Sequence, residues 1–297
     1  RDLSAEHLEV YARARGSSSG TNRHIMLLFG RRIEEDRRMR RYPVQVSRMK
    51  GGQDGLKILL MSAIPGNAII SKQFLEEVDG FSLGSNDMTQ VVLATDRDNA
   101  SLSHIYDEED PAVVRARLTT IFTGQKYSKK VGFCGQGVSN SKILRGLVAI
   151  AGIVSASVVP DTYYQTKFDL AEVEAENIPT SELGKWLTAQ HHAALVQLME
   201  EKGYGHILKK YNQAEDLREW YEGELSRLHE HLRESLDTPK EKFYRGELDL
   251  FRKTFHKPVI YANWDWAALV SDTMLQAGFA SFAEQAAALG AHRAKTG

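Results

Sequence analysis

With 297 residues, 42% hydrophobic and 26% charged, the chain has the composition of a soluble globular protein of one large domain or two ordinary ones. Its 38 basic and 39 acidic residues leave a net charge of −1, so no global electrostatic case exists for a nucleic-acid or membrane partner. The single cysteine, Cys134, excludes an intrachain disulfide and points to a reducing, cytoplasmic setting, and no apolar run approaches the roughly 18–20 residues of a bilayer span.

The first residue is Arg1 and no secretory h-region follows, so the sequence reads as part of a longer chain or a processed one. Gly16-Ser-Ser-Ser-Gly20 has linker composition. Strands are expected at His24–Phe29, Leu56–Met61, Gly80–Leu83, Lys130–Cys134 and Val154–Val159. Helices are expected between them at Arg31–Arg41, Asn67–Glu77, Pro111–Gln125 and Ser141–Ala151. Such alternation implies parallel strands with helical crossovers. The continuous apolar runs IMLLF and LKILLM are those of strands covered on both faces. A doubly wound sheet and a (β/α) barrel both satisfy this pattern. The charge-dense RRIEEDRRMRR of residues 31–41 is read as a solvated helix face and not as an anion site.

From Ile178 to Gly297 the pattern is helical, with four to six helices. Leu217, Tyr221, Leu225, Leu228, Leu232 and Leu236 recur at three- and four-residue spacing, an amphipathic stripe. After Pro239, the residues Phe243, Leu248, Phe251 and Phe255 form the apolar side of the next helix. Val259–Trp266 (VIYANWDW) is read as core, and Ser281-Phe-Ala-Glu284 matches a capping box. His191, His192 and His206, and the pair His229 and His231, lack zinc-site spacing; residues two apart on a helix diverge.

Three strand ends carry the chemistry: Met61-Ser-Ala63-Ile-Pro65, Gly84-Ser85-Asn86-Asp87 and Phe133-Cys134-Gly135-Gln136. In parallel α/β folds, ligands sit at the carboxyl ends of the strands, where the βα loops converge. Asp87 suits a Mg²⁺ ion held by one or two carboxylates plus ligand oxygens. It equally suits a helix cap, as do Ser85 and Asn86 before Met88-Thr-Gln. Cys134 is either an exposed acid or nucleophile, or a buried structural residue. Gly132, Gly135 and Gly137 allow close backbone approach but spell neither a P-loop nor GxGxxG.

Taken in order, DGFSLGSNDMTQ, TDRD (95–98), YDEEDPAV, VGFCGQGVSN and SASVVPDTYYQT resemble the PEP/pyruvate-binding barrel of the phosphoenolpyruvate synthase and pyruvate phosphate dikinase family, over about residues 24–166. The resemblance implies phosphoryl transfer between a phosphohistidine on a separate domain and pyruvate or its enolate. It implies that Asp87 holds Mg²⁺, that Ser85 and Asn86 lie against a small-molecule substrate with Gly135 and Gln136, and that Cys134 moves the enolate proton. Two departures stand out. Ala63 occupies the place of the family's second metal-binding carboxylate, a Glu, and only the last five of eight barrel strands have a match. Arg31 is the nearest surviving basic contact, and ATP would act only through a domain absent here.

The expected fold is therefore α/β, a partial (β/α) TIM-type barrel over 1–177 followed by an all-α region over 178–297. The open edge calls for further domains of a longer chain or a homodimer. The leading function is a PEP synthase-like module binding PEP, pyruvate or a related enolizable acid with Mg²⁺. Two alternatives are a repurposed part of an ATP-dependent condensing enzyme of prodiginine-type biosynthesis, with a pocket widened at Ala63, and a non-catalytic scaffold in which Asp87 only caps a helix and Cys134 is buried.

Overall fold

A computed structural model of the chain describes residues 24–39, 57–211 and 213–296. The Gly16–Gly20 linker lies outside them, as do Arg40, Arg41 and Leu56 at the ends of expected elements. The described residues form two compact units, one reaching Ser181 and resuming at Val270, the other Glu182–Leu269.

The first unit is mixed α/β. Strands β1 (His24–Leu27), β2 (Lys57–Ser62), β3 (Gly80–Gly84), β4 (Lys130–Cys134) and β5 (Ser155–Ala156) form one sheet in the order β1-β2-β3-β4-β5, every neighbouring pair parallel. Parallel pairing requires crossovers. Residues 33–39 (α1) follow β1, and α2 (Pro65–Ile69) with α3 (Ser71–Glu77) join β2 to β3. Helices α4 (Ser85–Val92) and α5 (Pro111–Lys126) join β3 to β4, and α6 (Gly137–Asn140) with α7 (Lys142–Ile150) join β4 to β5. A doubly wound sheet reverses its strand order at a switch point. Among the described residues the order runs unbroken, with no such reversal.

Several boundaries differ from expectation, each for a local reason. Strand β1 stops at Leu27 because Phe29 turns the chain with a φ of 53°. The expected helix Asn67–Glu77 starts earlier, with Pro65 at a first-turn position where it is well tolerated, and breaks at Ile70 (φ −117°, ψ 39°). The solvated face expected for residues 31–41 is incomplete, since Asp36 in α1 is wholly buried. Helix α8 (Tyr163–Glu176), not anticipated, follows a 3-10 turn at Pro160–Thr162.

Register places Ile58 and Leu60, Phe81 and Leu83, and Val131 and Phe133 on one face of the sheet, and all six are buried. Helix α5 covers this face with Leu118, Ile121 and Phe122, and Thr120 Oγ1 lies 3.4 Å from Ser62 Oγ. Each such side chain stabilises by about 1.5–3 kcal/mol. The other face carries Met61, Ser82 and Cys134, all half-buried, so only one face is fully covered by described residues. Alternation inside the apolar runs had concealed this. Helix α14 (Phe282–Thr296) returns to the first unit and packs on α5, tied by the ion pair of Glu284 with Lys126. The Ser281 hydroxyl accepts from Glu284 N–H at 3.1 Å, as the capping box requires.

The second unit holds α9 (Leu183–Glu201), α10 (Gly205–Leu208), α11 (Ala214–Glu234), α12 (Glu241–Ala262) and the start of α13 (Trp266–Gln276). Leu217, Tyr221 and Leu228 of the expected stripe are buried and pack with Leu248, Phe251 and Phe255 of α12. Leu236 and Phe243 are corrections: both are exposed, Leu236 beyond the end of α11 and Phe243 in the first turn of α12. Within VIYANWDW, Val259, Tyr261 and Trp266 are core, while Trp264 is exposed. Among the described residues no helix is long and apolar enough to cross a membrane.

Candidate functional site

The site is built from two adjacent strand ends. Gly84, the last residue of β3, is the register partner of Cys134, the last residue of β4. Helix α4 starts at Ser85, directly after the strand, with Gly84 as N-cap and no side-chain cap bond. Ser85, Asn86 and Asp87 are therefore the first three helical residues and not caps, because the helix begins before the apolar residues that suggested its start. Asp87 sits in the first turn, where free N–H groups and the helix dipole favour a carboxylate. It is half-buried and accepts no hydrogen bond and forms no ion pair among the described residues.

Cys134 is half-buried, with its thiol directed at the Leu83 carbonyl (3.2 Å). Burial pushes this thiol up, the Ser82 hydroxyl draws it partly back, and the Asp87 carboxylate raises it further. The group is thus a protonated acid near neutral pH. Gly135 follows with a φ of 122°, and a Cβ there would lie 2.2 Å from Ser85 Oγ, so the β4 loop touches the β3 loop at a point only glycine allows. Asn86 Nδ2 donates to Gln136 Oε1 at 2.5 Å, which closes the contact between the loops.

The fold thus gathers Ser85, Asn86, Asp87, Cys134, Gly135 and Gln136 at one edge of the sheet. Arg31 stands apart, beyond β1 and separated from these loops by β2, with its backbone N–H on the Glu35 carboxylate at 3.1 Å. Ala63, at the end of β2, is wholly buried; its N–H and that of Ile64 donate to Asn67 Oδ1, and Asn67 in turn donates to the Gly30 carbonyl at 2.8 Å. Its methyl group supplies no ligand atom. Among the described residues no group of three or more His, Cys, Asp or Glu could hold a metal ion.

Four further residues belong to the site and were missed from sequence. Arg97 Nη1 donates to Gln136 Oε1 at 3.1 Å, and the Tyr106 hydroxyl donates to Asn86 Oδ1 at 3.3 Å. Burial, with Glu108 nearby, pushes the Tyr106 phenol up to about 12, so it remains a donor throughout the physiological range. Arg117, in α5, is wholly buried and paired with Glu108 at 3.0 Å. A signal for Arg117 did exist, because Val114, Arg117, Leu118 and Ile121 share the helical spacing of a buried stripe. Arg97 and Tyr106 lie in a long non-periodic connection; the motifs TDRD and YDEEDPAV contain them, but nothing in the spacing assigned either a role.

Comparison with known proteins agrees with the motifs. Residues 6–175 match the family model of the PEP-utilising enzyme, PEP-binding domain. Phosphoenolpyruvate synthase of Escherichia coli (strain K12) is 40% identical over 174 residues, covering 59% of this chain and 22% of that protein. The synthase of Pseudomonas aeruginosa (strain UCBPP-PA14) is 37% identical over 172 residues, 58% of this chain and 22% of that one. That of Aquifex aeolicus (strain VF5) is 35% identical over 162 residues, 54% and 19% respectively. The chain therefore spans about a fifth of the length of these curated relatives, and the unit Glu182–Leu269 lies outside the family match. Since the match extends over more than half of the sequence and takes in both strand-end loops, the chain belongs to the PEP-utilising enzyme family and carries its PEP-binding domain.

Proposed function

We propose that this chain binds PEP, pyruvate or a closely related enolizable acid at the carboxyl ends of β3 and β4, as one part of a phosphotransferase. The reading is carried by the pairing of Gly84 with Cys134, which sets an unpaired carboxylate, Asp87, beside a protonated thiol. The five consecutively paired parallel strands are in our reading an arc of a (β/α) barrel, whose loops converge on a ligand at this end. The phosphoryl group and ATP would be handled by segments outside this chain.

Asp87 is free of partners among the described residues and fits a Mg²⁺ ion whose remaining ligands are substrate oxygens. Such an ion would supply positive charge to an enolate oxygen. Ala63 adds no second carboxylate, so the ion would be weakly held without substrate. The chain's own residues do the rest. Arg97, at the rim, attracts the carboxylate of the acid; Asn86, its amide fixed by Gln136 and Tyr106, orients it. Cys134, kept protonated by burial, delivers a proton to the enolate methylene carbon. Arg31 remains a candidate contact only for a ligand that extends toward β1.

The scaffold alternative needs Asp87 as a cap and Cys134 buried, whereas Asp87 makes no cap bond and Cys134 is half-buried. The condensing alternative needs space at Ala63, which is wholly buried. Calorimetric titration with oxalate, an enolate mimic, tests the proposal with and without Mg²⁺ on wild type and Asp87→Ala. Mg²⁺-dependent binding that the variant loses is expected; no binding in either protein overturns the reading.

A further inference from the structure

In the segment Tyr106-Asp-Glu-Glu-Asp110 only Tyr106 enters the chemistry above, yet three of its side chains reach the elements around the two site loops. Tyr106 bonds Asn86, in the first turn of α4. Glu109 accepts from the Ser141 hydroxyl at 2.6 Å, and Ser141 caps α7, which follows the β4 loop. Glu108 lies between: a Cβ on Gly137 would come within 2.8 Å of its carboxylate, so the β4 loop is pressed against it.

Arg117 completes the connection from the opposite side. Its guanidinium donates to the Glu108 carboxylate at 3.0 Å and carbonyl at 2.5 Å, to Thr89 Oγ1 at 3.0 Å and to the Ser85 carbonyl at 3.3 Å. Thr89 in turn donates to the same Ser85 carbonyl at 2.8 Å. The two terminal amino groups of one side chain therefore serve the first turns of α4 and the residue against which the β4 loop rests. The side chain is wholly buried, and burial lowers its affinity for the proton. Stability does not call for such a charge, because a buried ion pair replaced by well-packed apolar groups is often no less stable. What an apolar side chain could not supply is the geometry, two amino groups in one plane that reach four acceptors.

We infer that Arg117 is a positioning residue, which with Glu108 locks the first turn of α4 to the loop after β4 and so fixes the spacing of Asp87 and Cys134. The inference rests on the reading of those two residues as the ligand site, and it also predicts a property that needs no ligand. Gly135 of the loop after β4 rests against Ser85, the first residue of α4. If that turn drifts, the loop loses its support and the half-buried Cys134 thiol becomes more accessible.

The experiment uses the full chain with Arg117→Met, Arg117→Lys and Arg117→Ala, checked for wild-type far-UV dichroism. The first readout is the rate of Cys134 alkylation by iodoacetamide at one fixed pH. The second is affinity for oxalate with Mg²⁺. The expected result is faster alkylation and at least about a tenfold weaker affinity in Arg117→Met. Arg117→Lys, with a point charge in place of the planar fork, is expected to stay defective, and millimolar guanidinium is expected to restore both properties in Arg117→Ala. A folded Arg117→Met with wild-type alkylation rate and affinity overturns the inference. So does a misfolded Arg117→Met whose Lys counterpart recovers fold, alkylation rate and affinity together, since charge alone would then suffice. If wild type binds no oxalate, the functional proposal fails, and the alkylation rate still decides the role of Arg117.

Discussion

Asp36 is wholly buried in α1 with neither carboxylate oxygen hydrogen-bonded among the described residues, and Glu35 and Glu77 add like charge. Burial first and those carboxylates second push it from 3.8 up to about 6. A carboxyl raised in the folded state holds a proton that the unfolded chain has already released. Its favourable contribution is therefore full at low pH and disappears as pH rises from about 4 through about 6. Asp36→Asn should consequently stabilise the first unit by roughly 2–3 kcal/mol at pH 7.5 and leave it unchanged near pH 4, as urea unfolding at the two pH values would show. Arg97 gives a prediction of the opposite sign. Its side chain is 39% exposed, so Arg97→Gln should weaken oxalate binding by only about 1 kcal/mol, close to fivefold in calorimetry. The placement of Asp87 and Cys134 at adjacent strand ends was legible in the sequence, because the strand bounds that set it were. Arg97 was not, since its partner Gln136 lies 39 residues away and no periodicity connects them.

At the scale of elements, the loop after β4 depends on one backbone angle. Gly135→Ala would place a side chain at a φ of 122° and within 2.2 Å of Ser85 Oγ. Substitution should lower stability by about 1–3 kcal/mol and abolish Mg²⁺-dependent oxalate binding, because the loop can relax only by leaving Ser85. Denaturant midpoints and the oxalate titration check the two parts separately. Elements with apolar periodicity were read closely: β4 matches its expected bounds, and α5 runs one residue past its expected end. Helix α4 was hidden because Ser, Asn and Asp are turn formers on their own. Its first turn is held by a distant group, Arg117, on the Ser85 carbonyl. Helix α8 was hidden because its buried positions are Thr166, Asp169 and Val173, a stripe too polar to register as one. Asp169 is satisfied there by Arg145 at 2.9 Å, a contact that sequence spacing cannot anticipate.

For the molecule as a whole, the sequence changes period near residue 177, and the first compact unit reaches Ser181 and resumes at Val270. The return of the chain to the first unit after Leu269 was not legible, since Lys126 and Glu284 meet across 158 residues. The second unit is stabilised by aromatic packing. Phe255 lies 5.2 to 5.4 Å from the rings of Phe251, Tyr204 and Trp220, and is 2% exposed. Phe255→Ala should lower its unfolding free energy by about 3–5 kcal/mol. The division into two units also has an optical consequence. All four tryptophans, Trp186, Trp220, Trp264 and Trp266, fall within Glu182–Leu269, and the sole thiol, Cys134, falls in the other unit. Indole emission therefore reports on one unit and a dye on the thiol reports on the other, so the loss of each can be timed in a single sample without substituting any residue.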